Sequence, residues 1–597
     1  MSDASLGPQP PAGPPQPTGP GQIPVYPAQP AMAPPLPAPP GVTPPLPARP
    51  AWQTPVGLVL VLPAFVLLVV SYIWPTISTV LSSFQHVKLL AGSGSGSGFT
   101  TRNYSAAFDG PLGGDFGFAL SLAIVPILVV LVAAPVLAWT SHQGGTVARW
   151  VTRGLLALPL AAYAPTAIAL ALFVSSSNAE RGTDDFGGYV RAVYWWGTFG
   201  LAAALASTLF LATLRRRDPH RRPWPALAVA AGIALAATIA AALQEFTYPF
   251  VLGAGSARAS TPATDLYRTG FTVFDLGRAY AVSTLLLAVL IVLGLGATFA
   301  VVLSGLRLEF DDGYRSADRP AGWPASRIAG VVIGGVVLLV VIILTLIGIG
   351  PLLGRLFSGG GSAPPGVSAA TIQVNTWVPT LLSSVVGVVA AAVAAFGIGW
   401  LRPLGRRSTW LLLPFGLFLF VGVTPLGLHA YAVEQAAGGL NSVFSLIPPS
   451  WVAVPALFVL TLLFQGQALR VEALRQERRT ASVARQFLPV LPMVALAFLA
   501  TWVVQAQDLF WPLISVSDPQ HVTGPVALLA TSRDLFVHPD AIPFGVALPA
   551  TVFVFFFLLA AAAQLFYLDR VALRVGRPER DGPRLTAHDL EPAAHLP

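Results

Sequence analysis

Residues 243–252 read LQEFTYPFVL, and residues 506–515 read AQDLFWPLIS. Both decapeptides run Gln, an acid, an apolar residue, any residue, an aromatic, Pro and then mainly apolar positions. Gln244-Glu245 therefore corresponds to Gln507-Asp508, and Tyr248-Pro249 to Trp511-Pro512. Each decapeptide closes a hydrophobic stretch that opens near a Trp-Pro or Leu-Pro step, at Trp224-Pro225 and at Leu488-Pro489. A repeat at this distance predicts a chain made of two copies of one membrane unit.

Composition agrees. The chain has 597 residues, of which 54% are hydrophobic and only 10% charged, and its mean hydropathy is +0.69. A soluble domain carries about 25% charged residues, so the composition is that of a polytopic membrane protein. Cysteine is absent, which excludes disulfides, thiolate metal sites and a Cys nucleophile. Of 34 basic residues only Lys88 is lysine, an arginine bias expected of a GC-rich bacterium. Lys88 lies between Val87 and Leu89, so the Gly-Lys-Ser/Thr of a phosphate-binding loop is missing and no ATP hydrolysis is expected within this chain.

Residues 1–50 contain 19 prolines. Proline has no backbone donor and favours extended polyproline II, so this segment cannot build a core. PPLPAPP (34–40) and PPLPARP (44–50) have the form of SH3 or WW ligands, but a disordered cytoplasmic tail over 1–53 is the simpler expectation. No apolar h-region precedes it, so no cleavable signal peptide is expected.

Beyond Trp52 twelve apolar stretches follow, most near the ~20 residues that cross a bilayer as a helix. They run over 56–83, 116–139, 154–174, 195–214, 226–243, 282–303, 328–352, 377–400, 410–428, 451–469, 488–504 and 544–568. With the N-terminus inside, 25 of the 34 basic residues fall in inner segments and 9 in outer loops. The positive-inside rule then puts both termini in the cytoplasm. The polar, Pro/Gly-punctuated segment 304–327 divides a first half (54–303) from a second (328–568). A charged tail, expected to be disordered, occupies 569–597. The expected fold is an all-α multi-pass protein of the plasma membrane, built as two parallel six-helix repeats.

None of the twelve stretches contains Asp, Glu, Lys, Arg or His. Ion-driven transporters usually carry ionisable groups inside the bilayer, so uphill transport here calls for an energised partner. Polar groups cluster instead at stretch ends, where Gln244, Glu245, Tyr248, Gln507, Asp508 and Trp511 flank aromatic-Pro breaks. A broken helix end frees backbone groups, which is tolerated only beside a cavity or inside protein. Amides, hydroxyls and aromatic rings suit a neutral polyol; the competing reading is that these residues cap or anchor helix ends. Nucleic-acid binding is not expected, because the net charge of +8 follows topology. No metal site or cofactor is expected either, since no His pair has helical ligand spacing.

Segment 470–489 reads RVEALRQERRTASVARQFLP, an amphipathic stretch of the kind that lies on headgroups or docks a partner. Here the sequence resembles the membrane subunits of ABC-type sugar importers of the maltose-permease kind. Those carry a cytoplasmic Glu-Ala-Ala-x3-Gly coupling loop, then a Leu-Pro, then a span ending near Trp-Asn-Asp-Phe-x-x-Pro-Leu. Glu472-Ala473, Phe487-Leu488-Pro489 and Gln507-Asp508-Leu509-Phe510-Trp511-Pro512-Leu513 match in order, as do Asn375-Thr376, Leu440-Asn441-Ser442 and Pro549. The first half is similar to the companion subunit, in LPAFVLLVVSYIWPTISTVLSSFQ (62–85), Asn103-Tyr104, FVLGAGSARASTPATDLYRTGF (250–271) and Leu276-Gly277-Arg278-Ala279-Tyr280-Ala281. The resemblance covers about residues 55–570.

It implies a permease fusing two subunits, driven through its cytoplasmic loops by two ABC ATPase subunits. An extracytoplasmic solute-binding lipoprotein would supply the carbohydrate. Glu472, Ala473, Leu474, Arg478, Arg479, Leu488 and Pro489 would form the ATPase contact. There are departures. Leu474 stands at the third motif position, and Arg478 replaces a glycine whose freedom permits a sharp turn. The first-half loop, LRRRDPHRRPWP (214–225), lacks the motif. Its Arg215, Arg216, Arg217, Arg221 and Arg222 suit either an acidic partner or anionic lipid.

Other readings are a permease-like scaffold or regulator that has lost coupling, and an ion-coupled 6+6 carrier. The loop SHQGGTVARWVTRG (141–154) has no acid where major facilitators carry one. A glycosyltransferase would rest on the outer pair Asp184-Asp185 alone.

Overall fold

The structure, a computed structural model, describes residues 51–85, 98–176, 185–215, 223–253, 259–310, 324–358, 366–476, 486–533 and 542–576. The expected tail over 1–50 lies outside them. Among the described residues nine helices are long and apolar enough to cross a membrane, or ten if one sharply bent pair is a single span. The chain is an all-α polytopic membrane protein.

The principal elements are α1 (Gln53–Ser83), α2 (Leu112–Gln143), α3 (Thr146–Ala161), α4 (Pro165–Ser175), α5 (Phe186–Leu214), α6 (Trp224–Leu243), α7 (Thr247–Gly253), α8 (Leu276–Ser304) and β1 (Arg307–Phe310). The second half adds α9 (Pro324–Ser358), α10 (Ala369–Leu401), α11 (Gly427–Ala437), α12 (Val454–Gln476), α13 (Leu491–Ala506), α14 (Phe510–Ser515), α15 (Ala550–Arg570) and β2 (Val571–Arg574). The apolar stretches fix the helices, and proline fixes where they deform. Wide π turns at Val69–Ile73 and Val129–Ala133 sit where Pro75 and Pro135 remove the backbone donor due to the carbonyl four residues earlier. Pro165 forces Ala164 into an extended conformation (φ −151°, ψ 78°), and α3 and α4 meet at 88°.

Three expectations change. Residues 410–428, read as one span, form a 3-10 turn (Gly405–Leu412), a short helix (Leu413–Gly416) and another 3-10 turn before α11. The cause is Pro414, Gly416, Gly422, Pro425 and Gly427, which break the backbone of an apolar stretch. The eleventh stretch becomes helical at Leu491-Pro492 rather than at Leu488-Pro489. Finally, the linker and the C-terminal tail are not wholly irregular. β1 pairs antiparallel with β2, Arg307 opposite Arg574 and Phe310 opposite Val571.

Packing interleaves the halves. α2 packs on α5 and α6, and α10 packs in the same way on α12 and α13. The opening helices cross over: α1 lies on α10, and α9 lies on α2 and α5. α15 packs on α3, and α8 on the 413–416 turn. Lipid offers no hydrophobic drive between helices, so close backbone approach at small residues holds them. A Cβ on Gly348 of α9 would stand 2.0 Å from the Trp196 carbonyl oxygen of α5, and one on Gly397 of α10 2.7 Å from that of Gly57 on α1. Outward faces stay apolar, as with Val59, Val332, Leu339 and Leu558.

Candidate functional site

The two decapeptides adopt one local structure. α6 ends at Leu243 and α13 at Ala506, and each is followed by Gln, acid and apolar residues before a new short helix. Glu245 Oε1 accepts the Tyr248 N–H at 3.0 Å, and Asp508 Oδ2 accepts the Trp511 N–H at 3.0 Å. Each acid thus takes a first-turn donor that the new helix leaves orphaned. This is the capping role that competed with solute contact in the sequence reading.

The glutamines bridge. Gln244 Nε2 donates to the carbonyls of Ala240 (3.0 Å) and Phe420 (2.7 Å), while Oε1 accepts the Gly422 N–H at 2.7 Å. It therefore stitches the first-half break to the broken ninth stretch. Gln507, 2% exposed, donates from Nε2 to the Ala547 carbonyl at 3.0 Å. The aromatics are anchors: Tyr248 packs edge-to-face on Tyr194 at 5.2 Å, and Trp511 Nε1 donates to the Ser445 carbonyl at 2.8 Å.

The two breaks also meet. Phe246 and Phe510 pack edge-to-face with centroids 5.2 Å apart. α7 packs on α4, the helix that follows the α3–α4 bend carrying Tyr163. The two decapeptide breaks thus meet, with the helix after the α3–α4 bend packed beside the first. The sequence reading missed this bend; its signal was the Tyr-Ala-Pro step inside an apolar run.

It also missed a hydroxyl-amide cluster in the second half. Ser384 Oγ donates to Gln505 Oε1 at 2.7 Å, and Gln505 Nε2 reaches Ser383 (3.4 Å) and Ser450 (3.2 Å). The Trp451 N–H donates to Ser71 Oγ at 3.0 Å, bringing in α1. The signal was the Ser383-Ser384 pair inside an otherwise apolar stretch.

At the other face, Glu472 is exposed on α12 and pairs with Arg402 (3.3 Å), a residue at φ 49° just beyond α10. Ala473 and Leu474 continue α12, which runs to Gln476. Arg478 and Arg479 lie outside the described residues, as do Arg216, Arg217, Arg221 and Arg222. Leu488 is exposed. The Pro489 carbonyl accepts from the Tyr567 hydroxyl at 2.7 Å, and Phe487 packs on Trp400 at 4.9 Å. Arg215 pairs with Asp569 at 3.8 Å.

Helices outrun the apolar stretches, so ionisable side chains do enter them: Asp115 in the first turn of α2, Arg149 and Arg153 in α3, and Asp569 near the end of α15. No protein family matches this chain, and no curated protein matches it.

Proposed function

We propose that the chain is the fused permease of a binding-protein-dependent ABC importer, carrying a carbohydrate across the plasma membrane of a GC-rich bacterium. Twelve spans form two parallel six-helix repeats with both termini cytoplasmic, counting the bent α3–α4 pair, the broken 405–437 region and the α13–α14 pair as spans. The single observation that carries the reading is the reciprocity of the helix pairs. α1 crosses to α10 as α9 crosses to α2, while α2–α5 and α2–α6 answer to α10–α12 and α10–α13. The third span of each half is broken, and so is the end of the fifth.

In this reading the chain does no chemistry. Two ATPase subunits engage the inner loops, a solute-binding lipoprotein delivers the sugar outside, and the halves rock about the place where the two decapeptide breaks meet. The exposed Glu472 at the end of α12 begins the second-half coupling segment.

A scaffold or regulator is the second reading. It is favoured by one observation: residues bordering both inner loops are tied inside the chain, Glu472 to Arg402 and Arg215 to Asp569. The test is a mild-detergent pull-down of the tagged chain with mass spectrometry, followed by uptake of radiolabelled sugars in cells lacking it. Recovery of an ATPase and a lipoprotein, with uptake lost on deletion, supports the importer. An ATPase recovered without any change in uptake supports the scaffold, and recovery of neither from folded chain refutes both.

A further inference from the structure

The two strands exchange partners between the halves. β1 follows α8, the last helix of the first half, and packs on α12 of the second. β2 follows α15, the last helix of the second half, and packs on α5 of the first. The strands then pair with each other, Leu308 opposite Leu573 and Phe310 opposite Val571. α5 and α12 lead into the segments 214–225 and 470–489, so one small ribbon joins the approaches to both arginine-rich loops.

Side chains show how the ribbon is held. Leu308, Phe310, Val571 and Leu573 are buried in one apolar cluster with Leu457, Leu460 and Phe464 of α12. Gly466 of α12 stands against β1, and a Cβ there would collide with the Leu308 carbonyl. Arg470 of the same helix donates from Nη1 to the Phe310 carbonyl at 3.0 Å. Phe310 stacks on Tyr567 of α15 with centroids 5.6 Å apart. Arg307 and Arg574 face each other across the ladder, a like-charge pair that opposes pairing. Glu309 lies 2.8 Å from the Nε of each and offsets one of the two charges. Where α8 stops, the Gly576 N–H donates to the Ser304 carbonyl at 2.9 Å and closes that end of the ribbon.

A two-stranded ribbon is marginal on its own in water. These four-residue strands hold because α12 backs one and α5 the other. Moving α5 away from α12 strips a strand of its backing, and the ladder parts. The linkage is reciprocal, so whatever keeps the ladder closed favours the approach of α5 to α12 by the same free energy. We infer that the β1–β2 ribbon is a latch that keeps the halves together on the cytoplasmic side of the proposed topology and parts when they separate there. The cytoplasmic placement and the opening motion rest on the permease reading; the dependence of the ladder on α12 does not.

The chain has no cysteine, so Leu308→Cys with Leu573→Cys reads the latch by its rate of oxidative cross-linking, in the full chain in nanodiscs. Adding Gly466→Ala wedges α12 off β1 without altering either strand. It is expected to slow cross-linking about fivefold, the scale of an ordinary destabilising substitution. Phe310→Ala, which removes the ring stacked on Tyr567, should act in the same direction and stands in where Gly466→Ala lowers the yield of folded chain. Gly296→Ala on α8, whose Cβ position has nothing within 4 Å, is the control and should change nothing. Separation is read by spin labels at Trp224→Cys and Leu488→Cys, which are exposed by 65% and 64% ahead of the two fifth spans. Gly466→Ala and Phe310→Ala should each add a longer-distance population. Cross-linking at the parent rate in both variants shows a ribbon that stands alone and overturns the inference. Slower cross-linking with an unchanged label distance overturns it too. Either result leaves the permease reading in place, whereas a pull-down without an ATPase bears on that reading alone.

Discussion

Replacing Gly348 with Ala tests the crossed helix that interleaves the two halves. A Cβ there would stand 2.0 Å from the Trp196 carbonyl oxygen and 2.8 Å from its carbonyl carbon, whereas ordinary contact begins at 3.4 Å. The obstruction is backbone, so no rotamer relieves it, and restoring 3.4 Å from 2.0 Å requires up to 1.4 Å of separation between α9 and α5. Side chains at the crossing then lose contact, among them Thr345 against Gly200 and Phe199 and Ala203 against Leu338 and Val341. Some 20–40 atom pairs at ~0.1–0.2 kcal/mol each, with a quarter to a half forfeited across such a gap, give about 0.5–4 kcal/mol, with the middle of each range near 2 kcal/mol. Gly350, two residues on, has nothing within 4 Å of its Cβ position, and Gly350→Ala should be neutral or stabilising by at most about 1 kcal/mol. Thermal melts in detergent, followed by circular dichroism or by the fluorescence of the 14 tryptophans, should place Gly348→Ala a few degrees below both parent and Gly350→Ala. Equal melting temperatures for the two variants would refute the close approach of α9 to α5, and with it the strongest support for two interleaved repeats.

Glu245→Ala and Asp508→Ala should each lower stability by about 1 kcal/mol, the usual loss of a helix cap, and by similar amounts because their geometry matches; melts that separate the two contradict equivalence. Gln244→Leu removes three side-chain hydrogen bonds and should cost about 2 kcal/mol, since membrane-buried side-chain hydrogen bonds average ~0.6 kcal/mol each, and should reduce uptake without reducing ATPase co-purification. Unchanged uptake in both Gln244→Leu and Gln507→Leu would confine these residues to helix-end structure. Ala substitutions at Glu472 and Arg479 should weaken ATPase recovery in pull-downs, and full recovery would remove the coupling role from 470–489. Because the chain has no cysteine, Leu308→Cys with Leu573→Cys offers a clean test of the β1–β2 register. Oxidation should join them, and failure to cross-link would show that these strands do not pair as described.

What was legible in the sequence was apolarity at helical length, which depends on the local chain alone. That gave the nine long helices among the described residues, the break after each Gln-acid pair and the end of α8 at Ser304. The ninth stretch was misread for the same reason: hydropathy scores LLLPFGLFLFVGVTPLG (411–427) as a span, although its prolines and glycines deny it an unbroken helix. Tertiary partnerships left no local trace. The α3–α4 bend meets the first decapeptide through the packing of α4 on α7, and Arg153 is met by Gln564 and Asp569, over 400 positions away. The β1–β2 pair was hidden likewise, since four-residue strands inside a polar linker and a charged tail carry no periodic signal.

The repeated decapeptide is first a structural instruction. Its acid is spent on a backbone N–H and its aromatic on a wall of the fold, while its proline sits in the first turn of the new helix, where no backbone donor is needed. A motif used twice in this way makes two helix breaks of one shape and brings them face to face, through Phe246 and Phe510. In the proposed permease, specificity for a solute would then depend on what each break borrows from elsewhere. The first half takes the backbone at Phe420–Gly422, whereas the second lies just beyond the Ser383, Ser384, Ser450 and Gln505 cluster. The two breaks thus share a shape but differ in their surroundings. In the proposed permease, this asymmetry would favour one off-centre solute site in the second half, where the neutral hydroxyl and amide groups of Ser383, Ser384, Ser450 and Gln505 collect.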